Sequence, residues 1–178
     1  MCMNAAPAVF ARTRSEFLTI DVPRVEDGAA IWRIARDSEV LDLNSSYSYL
    51  LWCRDFAATS AVARDETGEA VAFVTGYLRP QNPGTLVIWQ VAVDRDHRGS
   101  GLAGRLLDAV TSRVAGEQGL SSVETTITPD NTASDGLFTS YARRHAVLVE
   151  REVIFAGELF PEGTHLPEVL YRIGPFPS

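Results

Sequence analysis

Residues 89–104 read WQVAVDRDHRGSGLAG, and the rest of the chain can be ordered around them. The apolar run Val87, Ile88, Trp89, Val91, Ala92, Val93 predicts a buried strand. A charged link, Asp94 to Arg98, leads into three closely spaced glycines, Gly99, Gly101 and Gly104. Leu102, Leu106, Ala109 and Val110 then fall at helical spacing. Strand, glycine turn and helix start together make a site for a phosphate group. Glycine lets the backbone approach closely, the first helical N–H groups have no partner within the helix, and the macrodipole adds about half a positive charge there. Arg98 stands beside the turn with a full charge and a planar fork of donors.

Two cofactor classes fit this segment. It contains a literal G-x-G-x-x-G, with Glu124 about 20 residues beyond the last glycine, as in a dinucleotide fold. In that fold, however, the strand runs straight into the first glycine, whereas Asp94–Arg98 intervene here. The acidic residue should also end a strand, and Glu124 is followed by Thr125-Thr126-Ile127-Thr128. A plain turn capping a helix is a third reading. The same residues also read Arg98-x-x-Gly101-x-Ala103, which resembles the Q/R-x-x-G-x-G/A loop of the GNAT acetyltransferases. That resemblance implies a pyrophosphate of acetyl-CoA held by Arg98, Gly99, Ser100, Gly101, Leu102 and Ala103.

At 178 residues the chain is expected to hold a tail over 1–15 and a single domain over 16–178. It is 46% hydrophobic and 22% charged, ordinary for a globular protein. A net charge of −7 argues against nucleic acid as a partner, because phosphate backbones need a basic face. All 16 basic residues are arginine, so no lysine can act as nucleophile or be acetylated by the protein itself. Cys2 and Cys53 show neither metal spacing nor a disulfide framework, so no metal is expected and a cytoplasmic location is the default. No apolar run approaches the roughly 18 residues of a membrane span.

Phe17–Val22 predicts a first strand. Val25, Ala29, Ile31, Trp32, Ile34 and Ala35 predict a helix, and Tyr47–Phe56 predicts a second, after a loop at Asp42–Ser46. Strands are expected at 59–64 and 70–78, joined by a hairpin at 65–69. A loop is expected over 79–84, then the strand 85–93, the glycine turn and a helix to about Gln118. A strand at 122–128, a helix from about Asn131 to Arg144, and strands at 147–155 and 168–173 complete the chain. The predicted order, β-α-α-β-β-β-α-β-α-β-β, is an α/β mixed sheet flanked by helices, which matches the order of the GNAT fold.

Further blocks narrow the resemblance. Asp42-Leu43-Asn44-Ser45-Ser46-Tyr47, Trp89-Gln90-Val91-Ala92-Val93, Glu124-Thr125-Thr126-Ile127-Thr128-Pro129-Asp130-Asn131 and His165-x-x-Glu168 together resemble the L-2,4-diaminobutyrate acetyltransferases of ectoine biosynthesis, over about Phe17 to Ile173. Read physically, the first block offers a carboxylate and several neutral donors within one turn. Helix capping by Asn44 or Ser45 is one reading; a site for a diamino acid, whose two ammonium groups and one carboxylate need acids and donors, is the other. The resemblance implies substrate contacts by Asp42 and Asn44, and with them Ser45, Ser46 and Tyr47. It also puts Trp89 in the diaminobutyrate pocket, where a strand tryptophan would otherwise be read as core. Alternation predicts Trp89, Val91 and Val93 on one face and Gln90 and Ala92 on the other. In GNAT enzymes the backbone of Val91 to Val93 would pair with the pantetheine arm, Val91 N–H lying near the thioester oxygen. Glu124 is charged within a strand and is expected at an edge or paired in a cleft. Asn131 is read equally as a helix cap and as a contact to CoA. His165 and Glu168 are a surface pair or, as the resemblance implies, the groups that meet the substrate amines.

The implied chemistry is direct transfer from acetyl-CoA to the 4-amino group, with Trp89, His165 and Glu168 as the catalytic candidates. A carboxylate attracts an ammonium by ~4 kcal/mol at 4 Å near a protein surface, yet it also holds the proton on. One acid is therefore expected to anchor the 2-ammonium while another, such as Glu168 through water, takes the proton from the reacting amine. Many GNAT enzymes carry a tyrosine on the last major helix as general acid. Phe138 stands at the expected place, and Tyr141 is expected to face elsewhere. The resemblance further implies a homodimer. A GNAT enzyme for another small amine or a protein N-terminus, and a CoA-binding sensor without catalysis, are the rival readings.

Overall fold

The computed structural model describes residues 18–161 and 163–177. The expected tail over 1–15 lies outside them. The elements are β1 (Thr19–Asp21), α1 (Gly28–Ser38), α2 (Ser46–Asp55), β2 (Ala61–Arg64), β3 (Ala70–Arg79), β4 (Asn82–Val93), α3 (Leu102–Gln118), β5 (Ser122–Ile127), α4 (Thr132–Arg144), β6 (Leu148–Phe155) and β7 (Glu168–Gly174). They form one seven-stranded sheet in the order β1-β2-β3-β4-β5-β7-β6. β4 and β5 pair in parallel and the other neighbours antiparallel, with α3 as the crossover between β4 and β5.

The element order agrees with the sequence reading, with one correction. Residues 79–84 are not a loop: β4 begins at Asn82, and Arg79 pairs with Asn82 around Pro80-Gln81. Pro80 presets φ for a tight turn, and Pro83, unable to donate to the ladder, sits on the exposed first residues of the strand.

The sheet is buried on both faces by period-2 sorting. On one face Leu102, Leu106, Leu107 and Val110 of α3 and Phe138 and Tyr141 of α4 join Ala61, Ala63, Ala72, Val74, Leu86 and Ile88. On the other, Ile31, Ile34, Tyr49 and Cys53 of α1 and α2 join Val62, Phe73 and Ala92. Leu86 and Ile88 therefore face α3, yet Ala92, also even-numbered, faces α1 and α2.

That switch is a β-bulge. Gly76 of β3 pairs with Ile88 and Thr75 with Gln90, leaving Trp89 as an extra residue in β4. Gly76 is required by close approach: a Cβ there would lie 2.7 Å from the Val87 carbonyl oxygen and 3.1 Å from that of Thr59. The ladder between β4 and β5 runs only over Thr85–Ser122, Leu86–Val123 and Val87–Glu124. From the bulge onward β4 has no β5 partner, and the two strands part toward their C-terminal ends.

Candidate active site

At one end of this opening lies the glycine turn. Gly99 and Gly101 adopt left-handed φ of 75° and 73°, which favours glycine, and no atom within 4 Å of either would meet a Cβ. Gly101 caps α3 without a side-chain bond, and the first turn of α3 holds no acidic residue. The helix N-terminus is thus left uncapped and unneutralised, the arrangement that favours an anion. Arg98 Nε donates to the Val93 carbonyl at 3.0 Å, tying the turn to the end of β4. Ser100 donates its hydroxyl to the His97 carbonyl at 2.7 Å, so that side chain is used within the turn. Leu102 is buried and anchors the helix in the core, with Ala103 beside it. Asn131 accepts from the Ser134 N–H at 3.0 Å and is a helix cap.

Near the middle of the opening, Trp89 is 52% exposed and stacks on Trp52 of α2, with centroids 6.1 Å apart. The bulge corrects the predicted facing of Trp89, while Val91 and Val93 lie opposite Gln90 and Ala92 as alternation predicts. Trp89 and Gln90 both reach toward α2, Gln90 accepting from the Tyr49 hydroxyl at 3.0 Å, while Val91 and Val93 pack against the α3-side core. Trp89, Trp52, Phe56, Tyr77, Leu78, Pro80, Asn44 and Ser48 line a groove of about 430 Å³.

The segment after β6 folds back on itself and reaches the loop that carries Asp42. The His165 ring lies flat on Phe160, centroids 3.7 Å apart at 12°. His165 Nδ1 lies 2.5 Å from the Leu166 carbonyl. A carbonyl only accepts, so Nδ1 carries the hydrogen and, in the neutral ring, Nε2 keeps its lone pair. Nε2 is 4.0 Å from both Asp42 Oδ2 and Glu168 Oε1. The backbone of His165 passes so close to Gly157 that a side chain at 157 would collide with its carbonyl.

Asp42, His165 and Glu168 therefore come together, Asn44 and Trp89 line the groove, and the loop before α2 carries a member of each group. The remaining candidates divide. Ser45 is the cap of α2, accepting from the Ser48 N–H. Ser46 and Tyr47 are exposed on the first turn, off the groove-lining row. Glu124 is paired in a buried position: Arg79 and Arg172 both bind its carboxylate, the latter at 3.0 Å. It lies level with Val87, short of Trp89, and is not brought to the Asp42–His165–Glu168 group.

Sequence reasoning missed the groove wall. Ser48, Trp52 and Phe56 follow Asn44 at intervals of four, a helical stripe that was legible. Tyr77, Phe160 and the arginines on Glu124 come from distant segments and carry no local signal. Phe138 is buried, and Tyr141 donates to Thr111 of α3 at 2.9 Å within the core, facing away from the groove as expected. Cys53 is buried and its thiol is pushed up to about 11 by burial, which leaves it a poor nucleophile. Among the described residues no cluster of His, Cys, Asp or Glu could hold a metal ion, and no helix is long and apolar enough to cross a membrane.

Residues 28–141 match the model of the acetyltransferase (GNAT) family. An L-2,4-diaminobutyric acid acetyltransferase of Streptomyces anulatus is 80% identical over 174 residues, covering 98% of this chain and 99% of that protein. One of Streptomyces coelicolor is 67% identical over 158 residues, covering 89% and 93%. Among solved structures, the diaminobutyrate acetyltransferase EctA of Paenibacillus lautus, in complex with L-2,4-diaminobutyric acid and coenzyme A, superimposes with a TM-score of 0.85 at 38% identity, covering 90% of this chain and 96% of that one.

Proposed function

The chain belongs to the GNAT acetyltransferase family, and from that premise we propose that it transfers the acetyl group of acetyl-CoA to the 4-amino group of L-2,4-diaminobutyrate. The observation that carries this reading is the parting of β4 and β5 beyond Val87–Glu124, with an uncapped helix N-terminus at one end and an acid–histidine group beside it. The diphosphate of the cofactor would sit on residues 98–103 and its pantetheine arm along Val91, Ala92 and Val93. The acceptor would lie between Trp89 and the Asp42–His165–Glu168 group, with Asn44 at its edge. In this reading Glu124 meets the substrate only through the arginines it holds.

The reaction is direct. The neutral amine attacks the thioester carbon, the C–S bond breaks, and the proton shed by the new amide nitrogen goes to the CoA thiolate as it leaves. His165 and Glu168 provide the acceptor for the proton the amine must lose: Nε2 has a free lone pair in the neutral ring, and Glu168 stands beside it. Asp42, also 4.0 Å from Nε2, anchors the second ammonium. Holding both reactants in line supplies up to ~7–11 kcal/mol of barrier reduction. The buried thiol of Cys53 offers no acyl-enzyme route.

The test is CoA-thiol release with L-2,4-diaminobutyrate, ornithine, lysine and spermidine as acceptors, with the acetylated nitrogen assigned by NMR. Diaminobutyrate acetylated at N4, well ahead of the others, is the expected result; another preferred amine would overturn the substrate, and acetyl-CoA binding without turnover would favour a sensor. The product fits a place in ectoine biosynthesis, hence in osmoprotection, and a cytoplasmic location where acetyl-CoA is made. A homodimer fits the exposed Leu148, Val153 and Phe155 on edge strand β6. Light scattering that returned the monomer mass of 19.4 kDa would reject it.

A further inference from the structure

Asp42 is the most exposed of the acceptor-site groups, its side chain 93% accessible, and its carboxylate comes no closer than 4.0 Å to His165. What fixes its place is its backbone. The Gln90 amide Nε2 donates to the Asp42 carbonyl at 2.8 Å, while its Oε1 accepts from the hydroxyl of Tyr49, a fully buried residue of α2. Gln90 is itself 7% exposed and follows the bulged Trp89 directly in β4. One buried amide therefore joins three parts: the strand that carries Trp89, the helix whose side chains line the groove, and the loop that presents Asp42 and Asn44.

We infer that Gln90 is a positioning residue for the acceptor amine, setting the Asp42–Asn44 loop at a fixed distance from Trp89. The inference rests on the acceptor-site reading above. An amide suits the task because it donates and accepts at once: its Oε1 holds the Tyr49 hydroxyl while its Nε2 holds the Asp42 carbonyl. Burial removes competing water and makes the link stiff. The cofactor turn follows the same end of β4, beyond Val93, but it is held by its own bond from Arg98 to the Val93 carbonyl and shares none of those made by Gln90, so the effect falls on the acceptor.

Two variants test this, each assayed with diaminobutyrate and acetyl-CoA varied in turn. Gln90→Met keeps the bulk and removes both bonds. Gln90→Asn keeps the amide but withdraws it by one methylene, about 1.5 Å, so that it cannot span Tyr49 and Asp42 together. The expected result is a rise of about tenfold or more in KM for diaminobutyrate, the scale of a small misplacement in a positioned site, with KM for acetyl-CoA unchanged within about twofold. A residue that only fills the core would lower the yield of folded enzyme and leave both constants alone. KM for diaminobutyrate unchanged in both variants, or the two constants rising together, overturns the inference. Asp42→Ala is measured beside them. If it leaves KM for diaminobutyrate unchanged, the acceptor-site reading itself fails; if it raises KM while the Gln90 variants do not, only the role of Gln90 fails.

Discussion

Asp27 shows how a single residue can be invisible in sequence and decisive in the fold. The residue is 6% exposed, and its carboxylate accepts from both terminal nitrogens of Arg64, at 2.5 and 2.7 Å, and from the Arg24 N–H at 2.6 Å. Burial pushes its carboxyl up, but the Arg64 and Arg24 bonds outweigh that and hold it below the ordinary 3.8. A depressed native value stabilises fully above the unfolded value and is lost as pH falls through the native one, so this contribution fades below about pH 4. Asp27→Asn is expected to cost about 3–5 kcal/mol at neutral pH by stranding a buried guanidinium. It should also flatten the acid limb of stability below pH 4, as measured by urea unfolding at a series of pH values. From the sequence Asp27 reads only as a residue near a helix start, because Arg64 lies far along the chain and no spacing rule connects them. Glu124 was half legible in the same way. A charge inside a strand announces a pairing, but not that two arginines from β3 and β7 fill it.

Among the elements, the glycine turn was readable because its requirement is local. Positive φ at 99 and 101 is a property of the backbone at those positions, and glycine is the residue that supplies it. Gly101→Ala meets no steric obstacle, so its cost is conformational, about 1–2 kcal/mol for an L-residue held left-handed. It is expected to raise KM for acetyl-CoA severalfold while KM for diaminobutyrate stays put, the reverse of the pattern expected at Gln90. Initial-rate kinetics with each substrate varied would show it. The 79–84 segment misled for the opposite reason. Two prolines and a glycine suggest a loop, but whether a strand starts at Asn82 depends on its antiparallel partner, which the segment does not contain.

Over the whole molecule, element order and sheet class follow from hydrophobic periodicity, since each strand's own residues record which layers it must fill. The bulge does not follow. Alternation assumes an unbroken pleat, and the break is set where Gly76 of β3 draws close to Val87 of β4. Its effect on the predicted facings is confined to Trp89, which leaves the side of Val91 and Val93, while Gln90 and Ala92 stay opposite those two as alternation has them. The parting of β4 from β5, on which the proposed cofactor channel depends, begins at the same level, so the feature least legible in the sequence is the one that opens the sheet.

Suppose Trp89 were deleted. Ile88 would adjoin Gln90, Gly76 and Thr75 would face them in unbroken register, and every other side chain of β4 would keep the layer it now occupies. The sheet would be more regular without its tryptophan than with it. Trp89 is a guest in the strand, housed by the fold without being needed for it. A chain lacking residue 89 is therefore expected to retain its far-ultraviolet circular dichroism and cooperative melting while losing acetyl transfer; a deletion that unfolds the protein would show that the guest had become a pillar.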